Sequence, residues 1–434
     1  MKVLFQRSID RAVGILLCRL LSFFPWRYKK VPSGFTPRKI LVVCLSEMGS
    51  LVLTKPMFDN IHQRFPDAGV HVLLFERNRS VLEILDLVPD ARVQTIDDRS
   101  FMRFLVSSMR LVFELRRKEI DTVIDCELFS RISSLLSLLS GAKVRVGFHA
   151  HTQEGLFRGD FINRPVPYNP YRHISLQFLT MVQSIGLTGA PLVKSGERLE
   201  LPEIPQTAFR LEEKNRFLHR LESDFPQLMR ERFVLLYPGG GLLPVRAWPL
   251  AHYCRTSEEL IAKGYAVGVI GMREDKPLAE KIRLSCKSEK CLDLTGYTKD
   301  LKELLCLMEG ASLLISNDGG PGHFSSLVPT PAIILYGPET PVLYGILKKN
   351  ACLFHLPLPC SPCLTAYNHR KSPCDGNNLC LKLISPETVL EKAYRLMAED
   401  QRNAGEHSSV ATQRGSSIDE PPRHRARSLA FEGA

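Results

Sequence analysis

Ser316-Asn317-Asp318-Gly319-Gly320-Pro321-Gly322-His323 follows an apolar run, Ala311 to Ile315, and precedes a small, apolar segment, Phe324 to Val328. The run reads as a buried strand and the segment as the start of a helix. A strand that ends in Asp and Gly and then opens a helix leaves the first N–H groups of that helix without partners. Those donors, with the positive end of the helix dipole, suit the oxygens of a nucleotide phosphate. Asp318 and His323 would stand near the same ligand. An ordinary strand-to-helix turn, in which Asp caps and Gly relieves strain, uses the same residue types. The rest of the chain weighs between the two readings.

Working outward, Phe233 to Tyr237 begins an alternating series whose later strands are Ala266 to Ile270, Cys291 to Leu294, Ser312 to Ser316 and Ala332 to Tyr336. An earlier series runs through Lys39 to Leu45, Val70 to Phe75, Val93 to Ile96, Thr122 to Cys126 and Val144 to Gly147, with helical patterns between, the longest being Met102 to Lys118. Continuous apolar runs belong to parallel strands covered on both faces. Strand and helix in alternation imply doubly wound sheets. The expected fold class is α/β, with two Rossmann-like domains facing a central cleft. The expected boundaries are 38–185 for the first domain, 186–230 for a connection with a docking helix, and 231–400 for the second. Ligands of such sheets sit outside the carboxyl ends of the strands.

Three loops of the second domain should converge there. Gly239-Gly240-Gly241 follows its first strand and lets backbone approach a ligand. Arg246, ahead of Trp248-Pro249, is a cation beside the phosphates or a surface charge. Glu274 and Asp275, after the strand Ala266 to Ile270, suit ribose hydroxyls or a helix N-terminus equally. In the first domain, Glu47 and Gly49 follow the first strand. Gly49 permits a tight turn, and Glu47 reads as a base toward a hydroxyl group or as a solvated loop acid. No G-x-G-x-x-G follows a first strand, which argues against a nicotinamide-dependent oxidoreductase.

The chain carries a formal charge of +11 and a sequence pI near 9.1, which suits an anionic ligand or membrane surface. No zinc finger, RNA-recognition motif or long basic helix supports nucleic acid. Residues 1–37 hold an interrupted apolar stretch, Ala12 to Cys18 and Leu20 to Phe24, punctuated by Arg7, Arg11, Arg19 and Arg27. It is shorter than the ~20 residues of a membrane span. With Phe23, Phe24, Trp26 and Tyr28 it reads as a helix lying in a membrane surface, against the alternative of a helix packed on the protein's own body. From 401 to 434 the composition turns polar and reads as a disordered tail.

Twelve cysteines show no regular disulfide spacing, so a reducing compartment is expected. Cys44, Cys126 and Cys306 sit in apolar runs and read as small buried hydrophobes. Cys360-Ser361-Pro362-Cys363, then Cys374 and Cys380, form the tightest group, with His355 and His369 nearby. A structural zinc-like site, redox-active thiols and unligated thiols all remain open.

The order of motifs resembles glycosyltransferase family 9, the lipopolysaccharide heptosyltransferases, over about Arg38 to Met397. The matching stretches are Ser46 to Pro56, Ile120 to Asp125, Gly141 to Phe148, Leu294 to Gly296, Asn317 to His323 and Thr330 to Pro338. The resemblance implies a GT-B fold and an inverting, metal-independent transfer of a heptose-like sugar from an ADP-type donor. The acceptor would be a lipopolysaccharide core or another lipid-linked saccharide, and the enzyme would lie peripherally on the cytoplasmic face of a bacterial inner membrane. No cofactor is implied. It places Asp318, Gly319, Gly320 and His323 on the donor diphosphate, Arg246 on the phosphates, and Glu274 or Asp275 on the nucleoside. The Gly240 and Gly241 turn completes the donor side. The family's first loop carries Gly-Asp with a catalytic Asp; this chain has Gly49-Ser50. Either Glu47 has taken that role, or the base lies elsewhere, or the chain is a non-catalytic binding scaffold. A family 9 enzyme with a different sugar donor is the other alternative.

Overall fold

The apolar runs fold as two parallel sheets in the computed structural model, which describes residues 9–24, 31, 34–45, 48–128, 130–149, 157–187, 201–207, 210–241, 243–365 and 371–415, with side chains through 403. The first holds β1 (Lys39–Val43), β2 (Gly69–Phe75), β3 (Val93–Ile96), β4 (Thr122–Asp125), β5 (Val144–Phe148) and β6 (Arg164–Val166) in the order β3-β2-β1-β4-β5-β6. The second holds β7 (Phe233–Tyr237), β8 (Ala266–Val269), β9 (Cys291–Asp293), β10 (Leu313–Asn317), β11 (Ala332–Tyr336) and β12 (Ala351–His355) in the order β12-β11-β10-β7-β8-β9. Each sheet therefore winds outward from its first strand in both directions. The reversals fall between β1 and β4 and between β7 and β10, where loops splay apart and leave a crevice. β4, β5, β7, β10 and β11 are buried at every position, which is why Val, Ile and Leu make up much of their sequences.

Two acids of the stretch Ile120 to Asp125 hold this frame together. Asp121 accepts from the amides of Arg38 and Lys39 at 2.9 and 3.2 Å, fixing the entry to β1. Asp125 is buried at the end of β4 and forms an ion pair with the buried Arg158. Arg158 also donates to the carbonyls of Ser130, Glu127 and Phe148 and to the hydroxyl of Ser133. Removing one partner of such a pair strands a buried charge. Asp125→Ala should therefore lower unfolding free energy by about 3–5 kcal/mol, read from chemical denaturation.

The N-terminal segment is helical from a π-turn at Asp10–Gly14 through Ile15–Ser22, and one face of it docks on the first domain. The Asp10 carboxylate accepts from the amides of Arg131 and Ile132 at 2.8 and 2.9 Å, capping the helix Arg131–Leu139. Gly14 lies against the Arg131 side chain, Cys18 is buried with Leu138 and Phe161, and Ser22 Oγ accepts from the amide of Asp160. The opposite face leaves Val13, Leu16, Leu20 and Phe23 exposed. The segment thus packs on the body and still presents an apolar stripe. No helix among the described residues is long and apolar enough to cross a membrane.

The connection contains a helix, Leu211–Asp224, followed by Pro226–Arg230. The last helix, Pro386–Gly415, runs past the expected start of the tail, and residues 416–434 lie outside the described part. Its first turns bury Val389, Leu390, Ala393 and Met397 in the second domain's core, which explains why helix continues where apolar residues run out.

Candidate active site

The loops after β7 and β10 meet at the second sheet's reversal point, and Asn317 ties them together. This buried side chain donates to the Gly239 carbonyl at 3.0 Å and accepts from the Trp248 amide and the Tyr253 hydroxyl, both at 3.0 Å. Trp248 is itself buried, with its indole N–H on the Ile384 carbonyl at 2.9 Å. The glycine turn and the Arg246 loop are thereby fixed relative to Asp318. Gly241 has φ +57, which demands glycine, and a Cβ on Gly240 would meet the Leu243 carbonyl at 2.9 Å.

Arg246 reaches into this junction. One terminal nitrogen lies 2.7 Å from Glu339 Oε1, and its Nε lies 3.8 Å from Asp318 Oδ2. The second distance is a charge contact, not a hydrogen bond. Neither Arg246 Nε nor Asp318 Oδ2 has a hydrogen-bond partner among the described residues. Burial and then the Asp318 charge raise the Glu339 carboxyl to about 7 against the opposing pull of Arg246. The unsatisfied Nε–H of Arg246 can donate to a further acceptor, whereas the unsatisfied Asp318 Oδ2 calls for a donor such as a hydroxyl.

His323 lies in the short helix Gly320–Phe324 and is buried. Burial lowers its pKa to about 4, although Asp318 favours the charged form, so near neutral pH it is an uncharged imidazole. Its Nδ1 has no hydrogen-bond partner among the described residues. The first domain closes directly over it: the helix Met48–Val52 packs on Gly320–Phe324. A Cβ built on Gly49 would stand 2.5 Å from His323 Cδ2. Gly49 has no positive φ, so its role is this close approach and not the tight turn expected from the sequence. A second bridge joins the domains at His173. Its Nδ1 accepts from the Ser175 amide at 3.3 Å, so Nε2 carries the proton and donates to the Gly345 carbonyl at 2.9 Å.

The expected residues fall in several places. Gly240, Gly241, Arg246, Asp318, Gly319, Gly320 and His323 come together at the domain junction. Ser50 is half-buried in the helix Met48–Val52 beside them. Glu47 lies outside the described residues. Glu274 is exposed, whereas the neighbouring Asp275 accepts from the Met272 amide at 2.9 Å and its carboxylate would contact a Cβ on either Gly239 or Gly271.

Sequence reasoning missed Glu339 and Asn378. Glu339 had a signal, because an acid directly after a parallel strand, here β11, points into the same crevice. Asn378 had none. Its amide donates to the Val245 and Ala247 carbonyls at 3.1 and 2.9 Å, bracketing Arg246. The cysteine-rich segment around it also grips the Glu339 loop: Ser361 donates to the Gly337 carbonyl, and the amides of Cys363 and Leu364 donate to the Pro338 carbonyl. The thiols of Cys360, Cys363 and Cys374 lie near enough to add to the burial that raises the Cys380 thiol to about 11. Among the described residues no group of three or more His, Cys, Asp or Glu could hold a metal ion, and His369 lies outside them. The segment's visible work is to brace the two loops that carry Arg246 and Glu339.

The family model described as glycosyltransferase family 9 (heptosyltransferase) matches residues 108–372. The chain belongs to glycosyltransferase family 9. Among relatives in this family, lipooligosaccharide heptosyltransferase 2 of Haemophilus ducreyi is 25% identical over 324 residues, spanning 73% of this chain and 88% of that protein. Lipopolysaccharide heptosyltransferase 2 of Salmonella typhimurium is 23% identical, spanning 83% and 99%. The solved ADP-heptose heptosyltransferase II of E. coli superposes with a TM-score of 0.66 at 21% identity, covering 84% of this chain and 99% of that one. The E. coli heptosyltransferase WaaC, solved with ADP, gives 0.57 at 18% identity, covering 82% and 99%. The family 9 fold of these structures is therefore that of the present chain, GT-B.

Proposed function

We propose that this family 9 glycosyltransferase moves a heptose-like sugar from an ADP-type donor to a lipid-linked saccharide, with inversion and without a metal. The observation that carries the reading is the meeting of the glycine turn, Arg246, Asp318 and His323 at the reversal point of the second sheet, directly under Gly49 of the first domain. Similarity to heptosyltransferases, one of them solved with ADP, supports the donor. The diphosphate would take the place of a carboxylate at Arg246. Arg246 and the amides of the turn after Asp318 would then stabilise charge as the diphosphate leaves. His323, uncharged, would donate or accept a hydrogen bond without adding net charge. The acceptor hydroxyl needs a base, and Glu47 is the assignment we make; Ser50 lacks the basicity to replace it. Basic residues and the outward apolar stripe of the N-terminal helix support peripheral attachment to the cytoplasmic face of an inner membrane.

The test is thermal shift with ADP, UDP and NAD, followed by product formation from ADP-heptose. ADP should raise the midpoint most. Full turnover by Glu47→Gln would remove Glu47 as the base. Ser50 favours one rival, a chain that binds a nucleotide sugar without turnover. An ADP shift with no product under any acceptor would decide for that rival.

The pH dependence has a defined sign. When a diphosphate competes for Arg246, Glu339 loses its counter-ion and takes up a proton. ADP affinity should therefore fall as pH rises through about 7, and Glu339→Gln should flatten that profile in calorimetric titrations. In the free protein the same raised carboxyl makes stability fall as pH climbs from 4.5 to about 7.

A further inference from the structure

The helix Phe101–Arg117 has two apolar faces, and folding uses only one. Leu111 and Leu115 are buried against the first sheet, with Phe104 and Val112 partly buried beside them. On the far side Met102, Leu105, Val106, Met109 and Phe113 are 64, 42, 52, 57 and 69% exposed. They follow a helical spacing and form one continuous stripe, where a soluble surface helix would carry polar residues. Arg103, Arg110 and Arg117, two turns apart, line one edge of it. Arg103 shares Asp97 with Arg99, but Arg110 and Arg117 have no acidic partner among the described residues. Beside Phe113 these last two arginines, with Glu114 and Lys118, border a shallow groove of about 470 Å³.

We propose that this helix is a second membrane-contacting element, which lays its outer stripe in the interface of an anionic phospholipid leaflet and sets its arginine row on the lipid phosphates. The chemistry fits lipid better than protein. A second copy of the chain would bring arginine row toward arginine row around the apolar contact, whereas an anionic leaflet complements both features at once. The position fits as well. Arg116 Nε donates to the Leu139 carbonyl at 2.9 Å, so this helix lies beside Arg131–Leu139, whose other flank is covered by the N-terminal helix. The two helices that carry the stripes therefore flank the same helix of the first domain. Both begin at the cleft end, because Phe101 follows the carboxyl end of β3 and Asp10 caps the helix that follows β4. A leaflet against them would stand at the edge of the cleft, where a lipid-linked acceptor must enter. The proposal deepens the membrane reading above and rests on it, but on a different helix.

The test uses the full chain and vesicles of phosphatidylcholine alone or mixed with phosphatidylglycerol, read by flotation at about 0.1 and 0.5 M salt. Wild type should float with the anionic vesicles, less so at high salt. The triple variant Met102→Ser, Val106→Ser, Phe113→Ser and the pair Arg110→Glu, Arg117→Glu should each lower the bound fraction at least about tenfold. Both should keep the wild-type thermal shift with ADP, which separates this proposal from the donor-site reading. Leu16→Ser with Leu20→Ser, which blunts the N-terminal stripe at two exposed positions, should leave residual binding that the triple variant abolishes. A Phe113→Trp reporter in a Trp26→Phe background should blue-shift on adding anionic vesicles and not on adding neutral ones. The proposal is overturned if the triple and paired variants float like wild type, if the Leu16→Ser, Leu20→Ser pair alone removes all binding, or if the reporter stays unshifted. A dimer in solution that the triple variant dissolves would overturn it too, by showing that protein covers the stripe.

Discussion

Arg246→Met is expected to lower sugar transfer by about 10²–10³-fold, an effect of about 3–4 kcal/mol on the transition state. The side chain is 13% exposed and is the cation that faces both Asp318 and Glu339, so on the proposed function charge developing on a departing diphosphate would have no equivalent replacement. The same variant leaves two buried carboxylates without their cation, so it should also lose stability. A second substitution separates the two effects. Arg246→Met with Glu339→Gln removes one of the opposing charges and should recover much of the thermal midpoint while activity stays low. Recovery of turnover along with stability would mean that Arg246 acts only as scaffold.

Gly49→Val should split stability from turnover. A Cβ at this position stands 2.5 Å from a ring carbon of His323, and the buried ring has little room to retreat. The two domains can then no longer close as they do here, and misplacement by about 1 Å at a reacting centre is worth on the order of 10²-fold in rate. Gly49→Ala is the informative companion. In a helix Ala is favoured over Gly by about 1 kcal/mol, so the first domain should not be weakened on its own account. Turnover should fall while the thermal midpoint holds. Normal kcat for both variants would show that the contact between Gly49 and His323 is not part of the catalytic arrangement.

The strands most legible in the sequence were those buried on both sides. β7 and β11 match their expected spans, because apolar runs bounded by turn residues have no other way to be satisfied in a parallel sheet; β3, an edge of alternating burial, matches as well. The two strands missed, β6 and β12, are edges. β6 is Arg164-Pro165-Val166, and β12 is only half-buried throughout, so neither carries the continuous pattern. The helix Phe101–Arg117 was visible as amphipathic, but its periodicity did not show that it has two apolar faces with only one covered.

Within the candidate site, the sequence was sufficient for Asp318, the glycine turn and Arg246, because strand-end loops of a doubly wound sheet must converge and these residues stand at strand ends. Glu339 and Asn378 escaped because what they do is a relation to Arg246, not a local pattern. Gly49 reads from its neighbours as a tight turn, because a close approach between domains leaves no trace in the residue's own surroundings along the chain. By itself, then, the sequence determined two doubly wound sheets and the ends at which their loops converge, because burial and backbone hydrogen bonding act over a few residues. Only the tertiary structure decided which charges face one another across the junction and which apolar stripes stay uncovered, because those depend on distances between segments that the chain brings together from hundreds of residues apart.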